Sequence, residues 1–402
     1  MIFSFVVVLR ERCDFLCYLV WYRMKLAFKY CILLFLFFVT LLTSLMPDNV
    51  YLLFVFSCAT FILLPSNGWW DNVCVALLIF SLMYCLNLYL THSAGSGFVF
   101  MSLLLSPVAF YRFGRWVIVC FENNEDRLKF LFMTQLSFLL PVFALTIQDI
   151  ALVGFVNESR EMFYDFGKYD SSLAATLYGL VSSTGIGFIS LAFAKQIKPL
   201  IRVLYCTIAI ISMLVVIHLV NRTGIVIFFV CVAFSLVYTA WRSPSRIVSY
   251  MLALFVICLF IIKTGVVSQD IVDAYVARED SVTANSLEFG GRSVLWGDAL
   301  LNLITHPFGW NRVRYAHNLW LDLAAVGGWL AFIPFVIATL TIIKKIFLLV
   351  RYNSTPIRLL LIASFLSMFC NSMVEPVIEG SLLFFVLFIM NWGMISSYSN
   401  EI

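Results

Sequence analysis

Apolar residues along this chain come in long runs, separated by short stretches that contain Lys, Arg, Asp or Glu. A helix of about 20 apolar residues crosses the roughly 30 Å of hydrocarbon in a bilayer. The runs predict about twelve such helices, the weakest being the fourth. They lie near 30–46, 50–65, 72–90, 97–111, 130–150, 173–194, 200–220, 224–241, 247–267, 318–342, 357–374 and 380–398. The predicted fold class is an all-α polytopic membrane protein, with one integral membrane domain over residues 1–402.

The composition supports a membrane protein and excludes a water-soluble one. Hydrophobic residues make up 62% of the 402 positions and charged residues 12%. Soluble domains are about 45–50% apolar and about 25% charged. A chain of this composition could not cover its surface with polar groups, so lipid must surround most of it. The net charge of +4 is small, and we expect no nucleic-acid partner.

The basic residues predict the orientation of the spans. Cytoplasmic loops of membrane proteins carry an excess of Lys and Arg. With the N-terminus inside, one alternating path assigns most of the 26 basic residues to the cytoplasm, near 10–29, 112–129, 195–202, 242–246 and 344–358. We therefore expect an inner-membrane protein with both termini in the cytoplasm.

The N-terminal region and the cysteines add two expectations. The first run, from about Tyr30 to Met46, has no small-residue cleavage site after it and is expected to be a retained signal anchor. Met24 begins a second, ordinary membrane-protein start, so an upstream extension over residues 1–23 stays open. None of the eleven cysteines falls between Gly265 and Ala316, so no disulfide framework or zinc site is expected.

Eight basic residues remain on the outer side, against the orientation rule, and some of them need another reason to be there. They are Arg160, Lys168, Arg222, Lys263, Arg278, Arg292, Arg312 and Arg314. Acidic residues share the loops of Arg160, Lys168 and Arg278. A solvated surface of mixed charge explains these three, because exposed ion pairs contribute little.

The stretch from Gly290 to Leu330 carries the strongest chemical pattern. Apolar positions between Ser293 and Ile304 predict a short amphipathic helix at the membrane surface, which the His-Pro-Phe-Gly sequence at 306–309 ends. Four residues with phosphate-binding or proton-transfer chemistry surround it: Arg292, Arg312, Arg314 and His317. Arginine donates two parallel hydrogen bonds to phosphate oxygens, and a neutral histidine can accept a proton from a hydroxyl.

Further candidates surround this stretch. His218 and Arg222 are four residues apart, which predicts that they share a face at the outer end of the seventh span. Asp322 either pairs with an arginine or caps a polar seam, and Asn318 precedes the tenth span. Glu375 and Glu379 could face sugar hydroxyls, although a solvated turn is the favoured explanation, and a structural turn explains His306. Trp296, Trp310 and Tyr315 could stack on sugar rings, although aromatic residues belong at membrane interfaces anyway.

Taken together, these segments resemble the O-antigen ligase and polymerase superfamily. The similar elements are NRTG at 221–224, GGRSVLW at 290–296, the Pro-Phe-Gly-Trp turn and AHNLWLDLAAVGGWLAF at 316–332. The close resemblance covers roughly residues 215–340, and their order and spacing make the combination specific. One element departs from the family pattern, because Gly309-Trp310-Asn311 stands where a Gly-x-Gly sequence is common.

The resemblance implies a metal-independent, cofactor-free membrane glycosyltransferase of GT-C-like fold, with a periplasmic catalytic loop over 268–317. Arg222 and Arg292 would hold the pyrophosphate of an undecaprenyl-linked oligosaccharide. His317 would act on the acceptor hydroxyl, with Asn318 as its structural partner. Membrane lipid and a chain-length regulator protein are the other expected partners. The remaining substrate-binding candidates, on physical grounds, are Arg312, Arg314, Asp322, Trp296 and His218.

Three functions stay open. A polymerase would join lipid-linked repeat units, a ligase would move the finished chain onto lipid A-core, and a transporter would only carry the lipid-linked sugar. A transporter favours charges at mid-membrane depth and repeated halves, which the sequence does not have. The second charged outer loop, VNESREMFYDFGKYDSS at 156–172, favours the polymerase because it could serve a second lipid-linked sugar.

Overall fold

The chain is almost entirely helical where its structure is described. The computed structural model describes residues 28–46, 49–65, 70–91, 97–157, 162–164, 168–170, 173–240, 269–282, 292–310, 315–352 and 355–401. The first helices are α1 (Phe28–Leu42), α2 (Asn49–Leu63), α3 (Asn72–Thr91), α4 (Gly97–Cys120) and α5 (Asn124–Val153). A two-stranded antiparallel ribbon follows, β1 (Met162–Tyr164) paired with β2 (Lys168–Asp170).

The second half contains both long and short helices. They are α6 (Leu173–Ile186) with a 3₁₀ continuation (Gly187–Phe193), α7 (Pro199–His218), α8 (Arg222–Ala240), α9 (Gln269–Val282), α10 (Arg292–Thr305), α11 (Leu319–Arg351), α12 (Pro356–Ser372), α13 (Val377–Gly380) and α14 (Leu382–Ser399). The short helices α9 and α10 lie within the predicted catalytic loop. Their location on the periplasmic side stays a prediction.

The membrane prediction is confirmed in its coarse form. Among the described residues, eight helices are long and apolar enough to span a bilayer: α3, α4, α5, α6 with its 3₁₀ continuation, α7, α8, α11 and α14. Three shorter apolar helices, α1, α2 and α12, coincide with further predicted spans. The predicted span at 247–267 lies outside the described residues. The total of twelve therefore stays a prediction.

Local sequence signals explain where several helices begin. Asn123 accepts a hydrogen bond from the Asp126 amide, and acidic residues fill the first turn of α5. Thr355 caps α12, whose first residue is Pro356, and Ser381 caps α14. These side chains satisfy amides that have no partner within the helix, and proline at the first position loses no hydrogen bond.

One boundary prediction was wrong. The fourth span was expected to end near residue 111, with Arg112 and Arg115 in a loop. In the structure α4 continues to Cys120, and both arginines are buried. Arg115 forms an ion pair with Asp71 (Nη1–Oδ2, 3.3 Å), and Asp71 also accepts a hydrogen bond from Ser396 on α14. Hydropathy along the chain cannot detect a charge whose partner lies so far away in sequence.

Small residues allow the helices to pack closely. Gly114 on α4 faces the backbone of Met390 on α14, and Gly393 on α14 faces the backbone of Tyr111 on α4. On α6 the 3₁₀ segment lies so close to α12 that a Cβ on Gly187 would be 2.7 Å from the Ser364 nitrogen. Close backbone approach at small residues is the main source of helix association in lipid, where apolar side chains gain nothing from leaving solvent.

Replacing Gly393 by Leu should destabilise the protein by about 1–3 kcal/mol. The new side chain would collide with the Tyr111 carbonyl and push α4 away from α14. Thermal unfolding in detergent, followed by size-exclusion chromatography, measures the effect. Gly297→Ala is the control, since a Cβ at Gly297 meets no atom within 4 Å. Equal unfolding temperatures for the two variants would contradict the packing argument.

Candidate functional site

The His317 loop joins α10 to α11 and carries the most unusual backbone of the predicted site. The φ angle of His317 is +53°, in the left-handed region that side chains with a Cβ rarely adopt. Asn318 follows it as the N-cap of α11, and its Oδ1 accepts hydrogen bonds from the amides of Trp320 and Leu321. The prediction that His317 and Asn318 open this helix is confirmed.

Asp322 closes the same loop from within the first turns of α11. Its Oδ1 accepts a hydrogen bond from the Ala316 amide (2.8 Å), and its Oδ2 accepts one from the Asn318 amide (3.2 Å). Asp322 is buried at 4% exposure, and its own amide donates to the Asn318 carbonyl. The carboxylate therefore holds the N–H groups of the two residues next to His317, one on each side.

The predicted amphipathic helix is confirmed as α10, and its aromatic residue reaches the His317 loop. Trp296 donates from Nε1 to the Ala316 carbonyl (2.9 Å). Trp296 and Trp310 pack against a small cluster formed by Ala299, Ala316 and Leu321. The outward face of α10 is apolar, with Leu301 62% exposed and Ile304 72% exposed. One face of the helix thus supports the loop, and the other suits acyl chains.

Arg292, at the start of α10, forms an ion pair with Glu375 (Nη2–Oε1, 3.3 Å), and both side chains are less than one-quarter exposed. Glu375 lies between α12 and α13, and next to it the Met373 carbonyl accepts a hydrogen bond from Asn318 Nδ2. The solvated turn expected for Glu375 was wrong. No sequence signal joined the two residues, because Glu375 lies 83 positions after Arg292.

The imidazole of His317 is half-buried, and burial together with the nearby Arg292 guanidinium lowers its pKa. Its Nδ1 is buried and has no hydrogen-bond partner among the described residues. A lowered pKa means that the ring is neutral at physiological pH. A neutral imidazole with an unbonded nitrogen can accept a proton or position a hydroxyl.

The Pro-Phe-Gly-Trp turn ends α10 as expected, and it docks into a break in α11. The Trp310 amide donates to the Ala325 carbonyl (2.8 Å), and the Trp329 amide donates to the Pro307 carbonyl (2.9 Å). The break is at Gly328, whose φ is +57°, and a side chain there would strike Pro307 and Phe308. The turn thus supplies the hydrogen bonds that the broken helix lacks.

The predicted shared helix face of His218 and Arg222 was wrong. α7 ends at His218, the chain turns through Val220 with a φ of +50°, and Arg222 begins α8. The i, i+4 spacing cannot reveal a helix end when the turn contains no glycine or proline.

His218 is fully buried, and both of its ring nitrogens bond to the protein. Neither nitrogen is left for the substrate-binding role that the sequence suggested. Its Nε2 is 2.9 Å from Asp149 Oδ2, and its Nδ1 is 2.9 Å from the Phe155 carbonyl. Asn157 donates to the same Asp149 oxygen and, through its amide, to the His218 carbonyl. These bonds fix the end of α7 to the end of α5.

Arg222 lies at the N-terminus of α8, where the helix dipole favours an anion. Its Nη2 is buried and has no hydrogen-bond partner among the described residues. The Tyr275 hydroxyl on α9 donates to the Val216 carbonyl of α7. This bond places α9, which is part of the predicted catalytic loop, against the end of α7 that precedes Arg222. No hydrogen bond or ion pair between described residues joins Arg222 to the His317 loop.

Several other candidate residues lie in parts of the chain that the structure does not describe. Arg160, Arg312 and Arg314 lie outside the described residues, as does most of the second charged loop. Within the described part of the chain, no three His, Cys, Asp or Glu side chains gather into a group that could hold a metal ion.

Comparison with models of known protein families and with characterised proteins finds no match.

Replacing Arg292 by Gln should raise the pKa of His317, because the substitution removes a positive charge that disfavours the imidazolium. NMR titration of protein labelled at its four histidines measures the pKa, with the H317N variant assigning the signal. Lys195→Gln is the matched loss of charge, since Lys195 is exposed and is not among the groups that shift this pKa. An unchanged or lower His317 pKa in R292Q would show that Arg292 does not act on the ring.

Proposed function

We propose that this protein is an O-antigen polymerase, which joins undecaprenyl-pyrophosphate-linked repeat units at the periplasmic face of the inner membrane. The observation that carries the proposal is the half-buried His317 ring near Arg292, the first residue of α10, because its Nδ1 has no hydrogen-bond partner among the described residues. The lowered pKa of the ring supports the proposal. The proposal also rests on the resemblance of residues 215–340 to the ligase and polymerase superfamily.

The transfer requires two kinds of help. An acceptor hydroxyl attacks the anomeric carbon of the growing chain, and the bond from that carbon to the pyrophosphate oxygen breaks. His317 takes the hydroxyl proton. Arg292 and Arg222 stabilise the charge that develops on the departing undecaprenyl pyrophosphate. Arg222 is suited to this role by its buried, unbonded Nη2 at a helix N-terminus.

The Arg292–Glu375 ion pair fits a site that binds and releases a polyanion. A pyrophosphate that enters must compete with the Glu375 carboxylate for the Arg292 guanidinium. When the product leaves, the carboxylate restores the charge balance of the partly buried arginine. This exchange would speed product release, which is otherwise slow for a highly charged leaving group such as pyrophosphate.

The apolar outward face of α10 fits a lipid-linked substrate. Its exposed residues, with Phe308 in the following turn, contact acyl chains if the helix lies in the outer leaflet. Arg292 would then be at the depth of lipid phosphates. A transporter would instead need its charges along a path through the membrane.

Deleting the gene and separating the surface lipopolysaccharide on a gel distinguishes the functions. Loss of a polymerase leaves core with a single repeat unit. Loss of a ligase leaves bare core while lipid-linked polymer accumulates. Loss of a transporter leaves lipid-linked units on the cytoplasmic side.

Complementation then tests the site. We expect H317N to abolish long chains, because it removes the proton acceptor, a loss of about 10²–10⁴-fold in rate. Asparagine is preferred to alanine here because it tolerates a positive φ, so the loop is kept. R292K keeps the charge but loses the two-pronged hydrogen bonding, and should give shortened chains.

The matched control is Arg202→Lys, on α7, whose guanidinium contacts the Ala192 carbonyl away from the site. It should restore full chain length. If H317N restores chain length as well as R202K does, His317 takes no part in the reaction.

A further inference from the structure

The backbone at His317 is strained, and a strained residue keeps its conformation only where its surroundings hold it. The peptide groups on its two sides have to be fixed for the ring to point in one direction. The side chain of Asn318 cannot fix them, because it caps α11 through Oδ1 and reaches Met373 through Nδ2. Trp296 holds the peptide group before His317 through the Ala316 carbonyl, but not the one after it.

Asp322 bonds both residues next to His317, Ala316 before it and Asn318 after it. One carboxylate oxygen takes the amide before His317, and the other takes the amide after it. Asp322 is itself fixed by its place in α11 and by the bond from its amide to the Asn318 carbonyl. Because a carboxylate has two acceptor oxygens and no donor, each N–H group meets an oxygen of its own, whereas an asparagine here would turn its NH₂ donor toward one of them.

We propose, resting on the proposed function, that Asp322 is a positioning residue that acts through His317 and does not bind the substrate. It sets the direction of the imidazole by a clamp, bonding the N–H groups of Ala316 and Asn318, the residues on the two sides of the left-handed His317.

This role differs from that of a carboxylate that pairs with a catalytic histidine. The bonds from Asp322 go to backbone amides. Burial and Arg292 account for the lowered pKa of His317, so the ring stays neutral without help from Asp322. Loss of the clamp should therefore disturb the orientation of the ring more than its protonation.

The first test compares D322N and D322E with the matched control D298N in the purified full-length protein. Asp298 is an exposed carboxylate on α10. The assay is transfer between lipid-linked repeat units in nanodiscs, with kcat and KM measured separately. An asparagine presents a donor to one of the two amides, so we expect kcat to fall about 10–100-fold while KM changes less than about twofold.

D322E keeps two acceptor oxygens and should recover part of the kcat, and D298N should match the wild type. A raised KM with unchanged kcat in D322N would overturn the proposal, because it would mean that Asp322 binds the substrate.

A double-mutant cycle tests whether Asp322 acts through His317. Once H317N has removed the ring, adding D322N should cost no more than about twofold further. Multiplying effects of the two substitutions would overturn the proposal. Residual activity of H317N sets the sensitivity needed, so single-turnover rates are measured.

A third measurement needs no enzymatic activity and separates failure of this proposal from failure of the proposed function. In histidine-labelled protein without substrate, D322N should move or broaden the His317 signal and leave those of the other three histidines in place. An unmoved His317 signal would overturn the clamp. A moved signal in a protein that transfers no sugar would keep the clamp and reject the polymerase. Where D322N unfolds, D322E gives the same comparison.

Discussion

In hydrocarbon no water is present to bond a free peptide group, so each interruption of a helix has to be satisfied by the protein itself. The break in α11 at Gly328 shows how this is done. The Trp329 amide of α11 donates to the Pro307 carbonyl of the turn that ends α10, and the Trp310 amide of that turn donates to the Ala325 carbonyl of α11. Asn87 on α3 donates to the carbonyls of Phe308 and Val326. The turn after α10 is therefore held in place by the same bonds that make a broken membrane helix tolerable.

This constraint links the candidate site to the fold. The turn fixes the end of α10, and the start of α10 carries Arg292. The first turns of α11, before the break, carry Asp322 and the cap of Asn318. Backbone bonding thus delivers the guanidinium and the imidazole to one place. The side chains that gather there come from three separate segments, since Glu375 arrives from the turn after α12.

Periodic hydropathy was sufficient to predict the apolar helices that the structure describes. The apolar helices, the amphipathic α10 and the start of α11 follow from runs of apolar residues and from local breakers such as the His-Pro-Phe-Gly sequence. Interactions between distant segments were beyond its reach. The burial of Arg115 depends on Asp71, and the pairing of Arg292 depends on Glu375. The turn between α7 and α8 contains no proline or glycine. The i, i+4 spacing therefore predicted, wrongly, that His218 and Arg222 share one helix.

The two histidines at helix ends show why residue type alone does not locate chemistry. His218 and His317 each lie beside a positive-φ turn or adopt one. Both ring nitrogens of His218 bond to the protein, one to Asp149 and one to the Phe155 carbonyl, so its role is structural. For His317 the protein bonds go to the neighbouring amides, through Asp322, and the ring keeps a nitrogen without a described partner. When the hydrogen bonds go to the backbone next to a histidine, and not to its ring, they fix the ring and leave its nitrogens able to react. That distribution of hydrogen bonds is the strongest physical reason to place the chemistry at His317.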